Sequence, residues 1–158
     1  MASELNAQGI ARVAELIGGR RVAMLTTFAT DGGLASRPMA MPDRAFDGTL
    51  WFLASADTDH VADVTQNPLV NVTFSHGAGL SLNGRAHIAD DADLKHQIWD
   101  DIMEQWFGCG PDDPRVVLIA VEVLAAEYWV SPGRPSIRIP VREPARGRRP
   151  AGGQGRTA

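Results

Sequence analysis

Cysteine and long apolar runs are both scarce in this chain. Cys109 is the one cysteine among 158 residues, which excludes an internal disulfide and is typical of a protein kept in a reducing compartment. The longest apolar run, Val116 to Val121, is too short to span a bilayer, and the first residues lack a signal-peptide pattern. We therefore expect a soluble, cytoplasmic protein without a membrane partner.

Several catalytic motifs are missing as well. The chain has no nucleophile elbow, no glycine-lysine phosphate loop and no dinucleotide-binding glycine fingerprint. His96 and Asp100 are four residues apart on a predicted helix, but no third ligand is evident, so we expect a solvated pair and no metal site. Cys109 lies between two glycines without a nearby base, which is typical of a loop residue. The sequence therefore assigns no catalytic residue.

Basic charge is concentrated at the C-terminal end. Residues 134–158 hold seven arginines against one acid and so carry a net charge of +6. Since the whole chain has a net charge of −4, residues 1–133 carry −10. This Arg/Pro/Gly-rich tail has few large apolar residues, so we expect most of it to be disordered and residues 1–133 to form the folded domain. The tail lacks the stacking aromatics of most nucleic-acid-binding segments, and we do not expect a nucleic-acid partner.

Short alternating segments between turn residues predict a mainly β protein. The turn Thr30-Asp31-Gly32-Gly33 joins two of these segments, and the first three should form an antiparallel meander. Helices are few, whereas a parallel sheet would need one after most strands. The sequence therefore predicts an antiparallel β-barrel with helical decorations. The predicted strands are 22–29, 34–41, 50–55, 69–75, 80–88, 116–124 and 127–130.

Three helices are predicted beside these strands. The first is capped by Ser3 and runs to about Ile17, and the second spans residues 60–66 behind Thr58. A longer third helix begins at Asp90 or Asp91. Its apolar stripe should comprise Leu94, Ile98, Ile102 and Trp106.

The stretch Ser36-Arg37-Pro38-Met39 combines a strand pattern with a proline. Proline cannot donate to a ladder, so it belongs at a sheet edge, and it holds Arg37 in an extended conformation. The Arg37 guanidinium on such a strand could bind a planar, phosphate-bearing ligand that lies along the sheet. A plain edge strand with a solvated Arg37 would have the same pattern.

A phosphate site is also predicted at the start of the second helix. Ser55 and Thr58 lie between a strand and this helix, and the free amides and dipole of a helix N-terminus attract phosphate. Arg37 could supply a bidentate clamp to the same place. The alternative is that Thr58 is only a helix cap and Ser55 only a strand end.

Several separated motifs resemble the pyridoxamine 5′-phosphate oxidase-like split barrels. They are Ser36-Arg37-Pro38-Met39, the run Leu50-Trp51-Phe52-Leu53-Ala54-Ser55-Ala56-Asp57-Thr58-Asp59-His60-Val61, and Asn67-Pro68. Trp106-Phe107-Gly108, Gly110-Pro111-Asp112-Asp113-Pro114 and Ala126-Glu127-Tyr128-Trp129 resemble the general-stress-protein branch of that family. The similarity extends over nearly all of residues 5–133.

This resemblance implies a six- or seven-stranded, FMN-binding split barrel that forms a homodimer. Flavin contacts would come from Ser36, Arg37, Pro38 and Met39, phosphate contacts from Ser55, Thr58 and His60, and a further contact from Trp129, supplied by the partner subunit. Trp129 could equally be a core or interface anchor.

Two features depart from the family pattern. Position 60 is usually lysine, whereas here it is histidine, flanked by Asp57 and Asp59, so FMN affinity should be lower than is usual. The oxidase's C-terminal Arg-Leu-His signature has no match either, which argues against pyridoxamine phosphate oxidation. The resemblance thus implies an FMN-dependent redox protein of the general-stress class. A flavin-binding sensor without turnover and a deazaflavin-dependent reductase are the alternatives, so the cofactor could also be another flavin or a deazaflavin.

Overall fold

The computed structural model describes residues 4–75 and 79–143. The strands in these residues are β1 (Glu4–Leu5), β2 (Val22–Phe28), β3 (Leu34–Ala40), β4 (Thr49–Ser55), β5 (Leu69–Phe74), β6 (Leu80–Ala89), β7 (Val116–Tyr128), β8 (Ile137–Pro140) and β9 (Arg142–Glu143). The helices are α1 (Ala7–Ile17), α2 (Asp59–Gln66), α3 (Ala92–Ile98) and α4 (Asp101–Phe107).

Seven of the strands form one antiparallel sheet. Its order is β3-β2-β5-β6-β7-β4, with β8 also paired to β7, while β1 and β9 form a small separate ladder. The predicted mainly β, antiparallel fold is therefore confirmed. The predicted β2–β3 hairpin is present, but the third strand does not extend the meander, because β4 pairs with β7 instead.

The strand β7 lies at the centre of the packing. It pairs with β4, β6 and β8, and both of its faces are buried over most of its length. On one face Val121 and Val123 belong to the main core, which also contains Leu25 and Phe52. On the other face Leu118 packs in a smaller core that also holds residues of α3 and α4. Burial on both faces explains why this strand reads as a continuous apolar run.

The first helix starts later than predicted. Asn6 is its N-cap, and its side-chain oxygen accepts a hydrogen bond from the Gly9 amide at 2.8 Å. Ser3, the predicted cap, lies outside the described residues. Asn and Ser cap helices equally well, so propensity alone could not choose between them.

The prediction of one long third helix is wrong, because the chain forms two helices, α3 and α4, with a break at Trp99 and Asp100. Asp100 is extended, with φ −134° and ψ 175°, and its carboxylate accepts from the Met103 amide at 3.0 Å, so it caps α4. Arg21 also donates to Asp100 at 3.0 Å. Consequently Trp106, placed in the predicted apolar stripe, is 60% exposed.

Part of the predicted tail belongs to the fold. The strands β8 and β9 lie within residues 137–143, and Ile139 and Val141 are 7% and 0% exposed in the main core. Composition suggested that this stretch could not contribute to a core, but alternate residues of a docked strand can do so even where neighbouring positions are polar. Residues 144–158 lie outside the described part of the chain.

Candidate functional site

The edge strand β3 presents its two faces to different surroundings. It is the first strand of the sheet order, as Pro38 predicted, and Pro38 lies opposite Met24 of β2. Ser36 and Pro38 are exposed, and the Ser36 hydroxyl is 2.6 Å from that of Thr26. Met39 points the other way, is 5% exposed and packs in the main core. Met39, assigned to the flavin by resemblance, thus has a packing role in this subunit.

Arg37 is held in a buried polar network. Its Nη1 donates to Thr27 Oγ1 at 2.7 Å, and its Nη2 is 3.4 Å from Oδ2 of Asp63 on α2. The Thr27 hydroxyl donates to the same Asp63 oxygen at 2.7 Å, and the Thr30 amide donates to the other oxygen at 3.1 Å. The Asp63 side chain is 3% exposed and that of Arg37 is 19% exposed. The alternative of a solvated Arg37 is therefore wrong.

The first turn of α2 keeps free backbone donors. Thr58 is the N-cap residue, yet its side chain makes no capping bond, because its hydroxyl donates to the Ser55 carbonyl at 2.8 Å. Within residues 4–75 and 79–143, no hydrogen-bond partner is found for the amides of Asp59 and His60. Free amides at a helix start are the donors that an anion uses.

His60 lies close enough to Arg37 for their charges to interact. Burial lowers the pKa of His60 below its ordinary value, and the nearby Arg37 guanidinium lowers it further, while Asp63 and Asp59 oppose this shift. Its Nε2 is 3.2 Å from the Thr58 hydroxyl. The structure thus brings Arg37, Thr58 and His60 together at the start of α2.

Ser55 connects this region to a neighbouring cavity of about 260 Å³ that is also lined by Asp57, Cys109 and Arg115. Arg115 is already engaged, since its guanidinium binds Asp113 in a bidentate pair at 2.6 and 3.0 Å. Burial raises the pKa of the Cys109 thiol, and Asp113 raises it further. The thiol is therefore protonated at neutral pH, in keeping with a loop residue rather than a nucleophile.

Trp129 lies directly after β7, away from β3 in the pairing order of the sheet. It follows the end of β7, where its amide donates to the Gly79 carbonyl at 3.0 Å. Three strands, β2, β5 and β6, separate β7 from β3 in the sheet. The sheet curls, because β3 also contacts β4, which pairs with β7. The contact predicted for Trp129 stays a prediction.

Asp63 and Thr27 were missed by the sequence interpretation. The one available signal of a buried role for Asp63 was its position in α2. Asp63 is next to Val64 and three residues after His60, on the side of the helix that packs against the sheet. That pattern does not reveal the partner, because Thr27 and Arg37 come from two earlier strands.

Comparison with known proteins decides the family. The family described as Pyridoxamine 5′-phosphate oxidase like matches residues 8–140. The chain belongs to this family. It resembles general stress protein 26 of Bacillus subtilis, at 30% identity over 80 residues that cover 47% of this chain and 56% of that protein. It also resembles protein bli-3 of Neurospora crassa, at 30% identity over 120 residues that cover 68% of this chain and 57% of that protein.

A solved structure supports the same fold. The Clostridium acetobutylicum protein related to general stress protein 26 superposes with a TM-score of 0.70 at 20% identity, covering 86% of this chain and 96% of that one. The predicted split barrel and the resemblance to general stress proteins are thus confirmed. This chain spans a little over half the length of the two curated relatives that it matches.

Across residues 4–75 and 79–143, no helix is long and apolar enough to cross a membrane. In the same part of the chain, no three His, Cys, Asp or Glu side chains are grouped so that they could hold a metal ion.

Proposed function

We propose that this split barrel is an FMN-binding flavoprotein with a redox role of the general-stress type. The observation that carries the proposal is the cluster at the start of α2, where the amides of Asp59 and His60 have no partner among the described residues and Arg37 pairs with Asp63 about one turn further along the helix. Membership of the pyridoxamine 5′-phosphate oxidase-like family supports it independently. When bound, FMN would supply hydride or electron transfer.

The residues of this cluster fit a phosphate. Backbone amides and a guanidinium are the donors that phosphate prefers, and the side chain of Thr58 leaves the helix amides open. Asp63 would hold Arg37 in place through the 3.4 Å ion pair and the shared Thr27 hydroxyl. Asp57 and Asp59 add opposing negative charge, so we expect a weaker site than a lysine at position 60 would give.

A homodimer would complete the site. The predicted contact Trp129 follows β7, whereas Arg37 lies on β3 and pairs with Asp63 of α2. A second subunit could bring its own Trp129 to this strand. We therefore expect Trp129→Ala to lower both dimer affinity and FMN affinity. A stable monomer, by sedimentation, that binds FMN as the parent does would contradict this part of the proposal.

The decisive experiment compares ligands on the purified apoprotein. Titration with FMN and riboflavin isolates the phosphate, because the two differ only there. Charge-assisted contacts of about 1.5–3 kcal/mol predict that FMN binds at least ten times more tightly. Equal affinities would remove the α2 cluster from the site.

The same preparation tests the alternative functions. A deazaflavin that binds more tightly than FMN would indicate a deazaflavin-dependent reductase. Bound FMN that is not reduced by nicotinamide donors, and not reoxidised by added acceptors, would favour a flavin-binding sensor. The raised pKa of Cys109 does not discriminate between a redox enzyme and a flavin-binding sensor, because hydride transfer needs no thiolate.

A further inference from the structure

A second, separate cavity lies along the free edge of β4. Its volume is about 200 Å³, and it is enclosed by α1, the loop after β3 and the start of β4. This edge is open because β4 is the last strand of the sheet order. Ile17, Phe46 and Leu50 contribute apolar walls. None of the eight residues assigned to the flavin lines the cavity.

The polar side chains of this cavity are all hydrogen-bond donors. They are Arg44, Thr49 and Trp51, and the lining includes no Asp or Glu. Trp51 Nε1 is buried and has no acceptor among the described residues. An N–H without accessible surface does not reach a ligand in the cavity, so the Trp51 ring forms wall and the donors that remain for a ligand are Arg44 and Thr49.

Thr49 and Arg142 extend this donor set. Arg142 Nη2 donates to Thr49 Oγ1 at 3.2 Å, which leaves the Thr49 hydroxyl proton available to another acceptor. Arg142 Nη1 is buried and also lacks an acceptor within the described residues. Its positive charge therefore lies directly behind one wall of the cavity.

Arg44 adds a charge at the mouth. Its side chain is 37% exposed, and its guanidinium is 3.7 Å from the exposed Asp47 carboxylate, a distance typical of a weak surface pair. The electrostatic character of the cavity is therefore positive, while most of its wall is apolar.

We propose that this cavity binds a small carboxylate with an apolar body, about the size of benzoate. An apolar cavity of about 150 Å³ accepts benzene, so one of 200 Å³ holds a ring with a carboxylate. The ring would pack on Phe46 and Leu50. The carboxylate would accept from Thr49 beside the Trp51 ring, in the field of Arg44 and Arg142.

The test follows the indole N–H signals of the four tryptophans by NMR during titration with benzoate, benzyl alcohol and benzylamine. We expect benzoate to move the Trp51 signal in saturable fashion and to bind at least five times more tightly than the other two. Arg44→Gln should weaken benzoate binding at least threefold, whereas Arg85→Gln, at an exposed position of β6, should not. Ala14→Leu should block the cavity from α1.

Two outcomes would overturn the proposal. Equal binding of benzoate and benzylamine by the parent protein would show that the cavity does not select a carboxylate, whatever the variants do. Unchanged benzoate binding in Ala14→Leu would show that the ligand lies elsewhere. The titration is repeated with FMN present, because loss of benzoate binding under FMN would assign it to the flavin site instead.

Discussion

The pairing of Arg37 with Asp63 can be tested by removing the arginine. In Arg37→Ala the Asp63 carboxylate, which is 3% exposed in the parent, keeps only the Thr27 hydroxyl and the Thr30 amide as donors. Breaking a fully buried ion pair costs about 3–5 kcal/mol. Arg37 is 19% exposed and its contact is 3.4 Å long, so we expect a smaller loss, about 2 kcal/mol. In a domain of this size that lowers Tm by about 4–8 °C.

A double-mutant cycle separates this pair from its surroundings. Urea denaturation of the FMN-free parent, Arg37→Ala, Asp63→Asn and the double variant gives the four free energies of unfolding. The carboxylate charge that Arg37→Ala leaves unpaired is absent in the double variant. The loss of unfolding free energy in the double variant should therefore be smaller, by at least about 1 kcal/mol, than the sum of the losses in the two single variants. Arg85→Ala, an exposed arginine on β6, is the matched control and should stay close to the parent.

The same variants connect stability to FMN. Arg37→Ala should bind FMN at least about ten times more weakly, whereas Arg85→Ala should bind it as the parent does. Additive losses of stability in the cycle would refute the structural argument. Unchanged FMN affinity in a folded Arg37→Ala protein would refute the functional one, and the two results are independent of each other.

Four further predictions concern His60, Gly84 and the C-terminal strands β8 and β9. Burial and Arg37 lower the pKa of His60 in the folded protein, so the unfolded chain binds more protons below pH 6.5. The free energy of unfolding of the FMN-free protein should therefore fall as the pH falls from 7 to 5. In urea titrations, His60→Gln should reduce this dependence of stability on pH. FMN phosphate should raise this pKa, so affinity should increase from pH 8 to 6 in the parent more than in His60→Gln; parallel curves would exclude His60 from the site. Gly84→Ala should cost about 1–3 kcal/mol in urea denaturation, because the new Cβ would lie 2.6 Å from the Glu122 carbonyl oxygen, while Gly110→Ala, with nothing within 4 Å, should be neutral. Equal stability of the two variants would contradict the close packing of Gly84 on β7, where the register of the two strands shifts. Deleting residues 144–158 should leave Tm unchanged by calorimetry, whereas deleting 137–158 should lower it by several degrees, and equal Tm values would show that β8 and β9 contribute nothing.

Local sequence patterns predicted the class of fold because they act over a few residues. The alternation of Ala23, Leu25 and Thr27 places these side chains on one buried face of β2, and the glycines before Leu34 allow the hairpin. Pro38 predicted an edge strand because a residue without an N–H cannot occupy the middle of a ladder. These rules need no knowledge of distant partners.

The tertiary structure alone decided which distant segments meet. β4 follows β3 in the chain but pairs with β7, and in that position its Phe52 joins the main core and its Leu53 joins the smaller core. The break between α3 and α4 depends on Asp100, whose partner Arg21 is 79 residues away. Docking of β8 on β7 likewise buries Ile139, which composition had assigned to a tail.

The candidate site divides in the same way. The sequence identified Arg37 and Thr58 from a proline and a helix start, both of which are local features. It did not identify Asp63, because a helical carboxylate becomes a buried partner only when the sheet brings Arg37 beside it, 26 residues away in the chain. Charge and hydrogen-bond pairing between distant residues depend on distances that local propensity does not fix, so they are set by the packed fold.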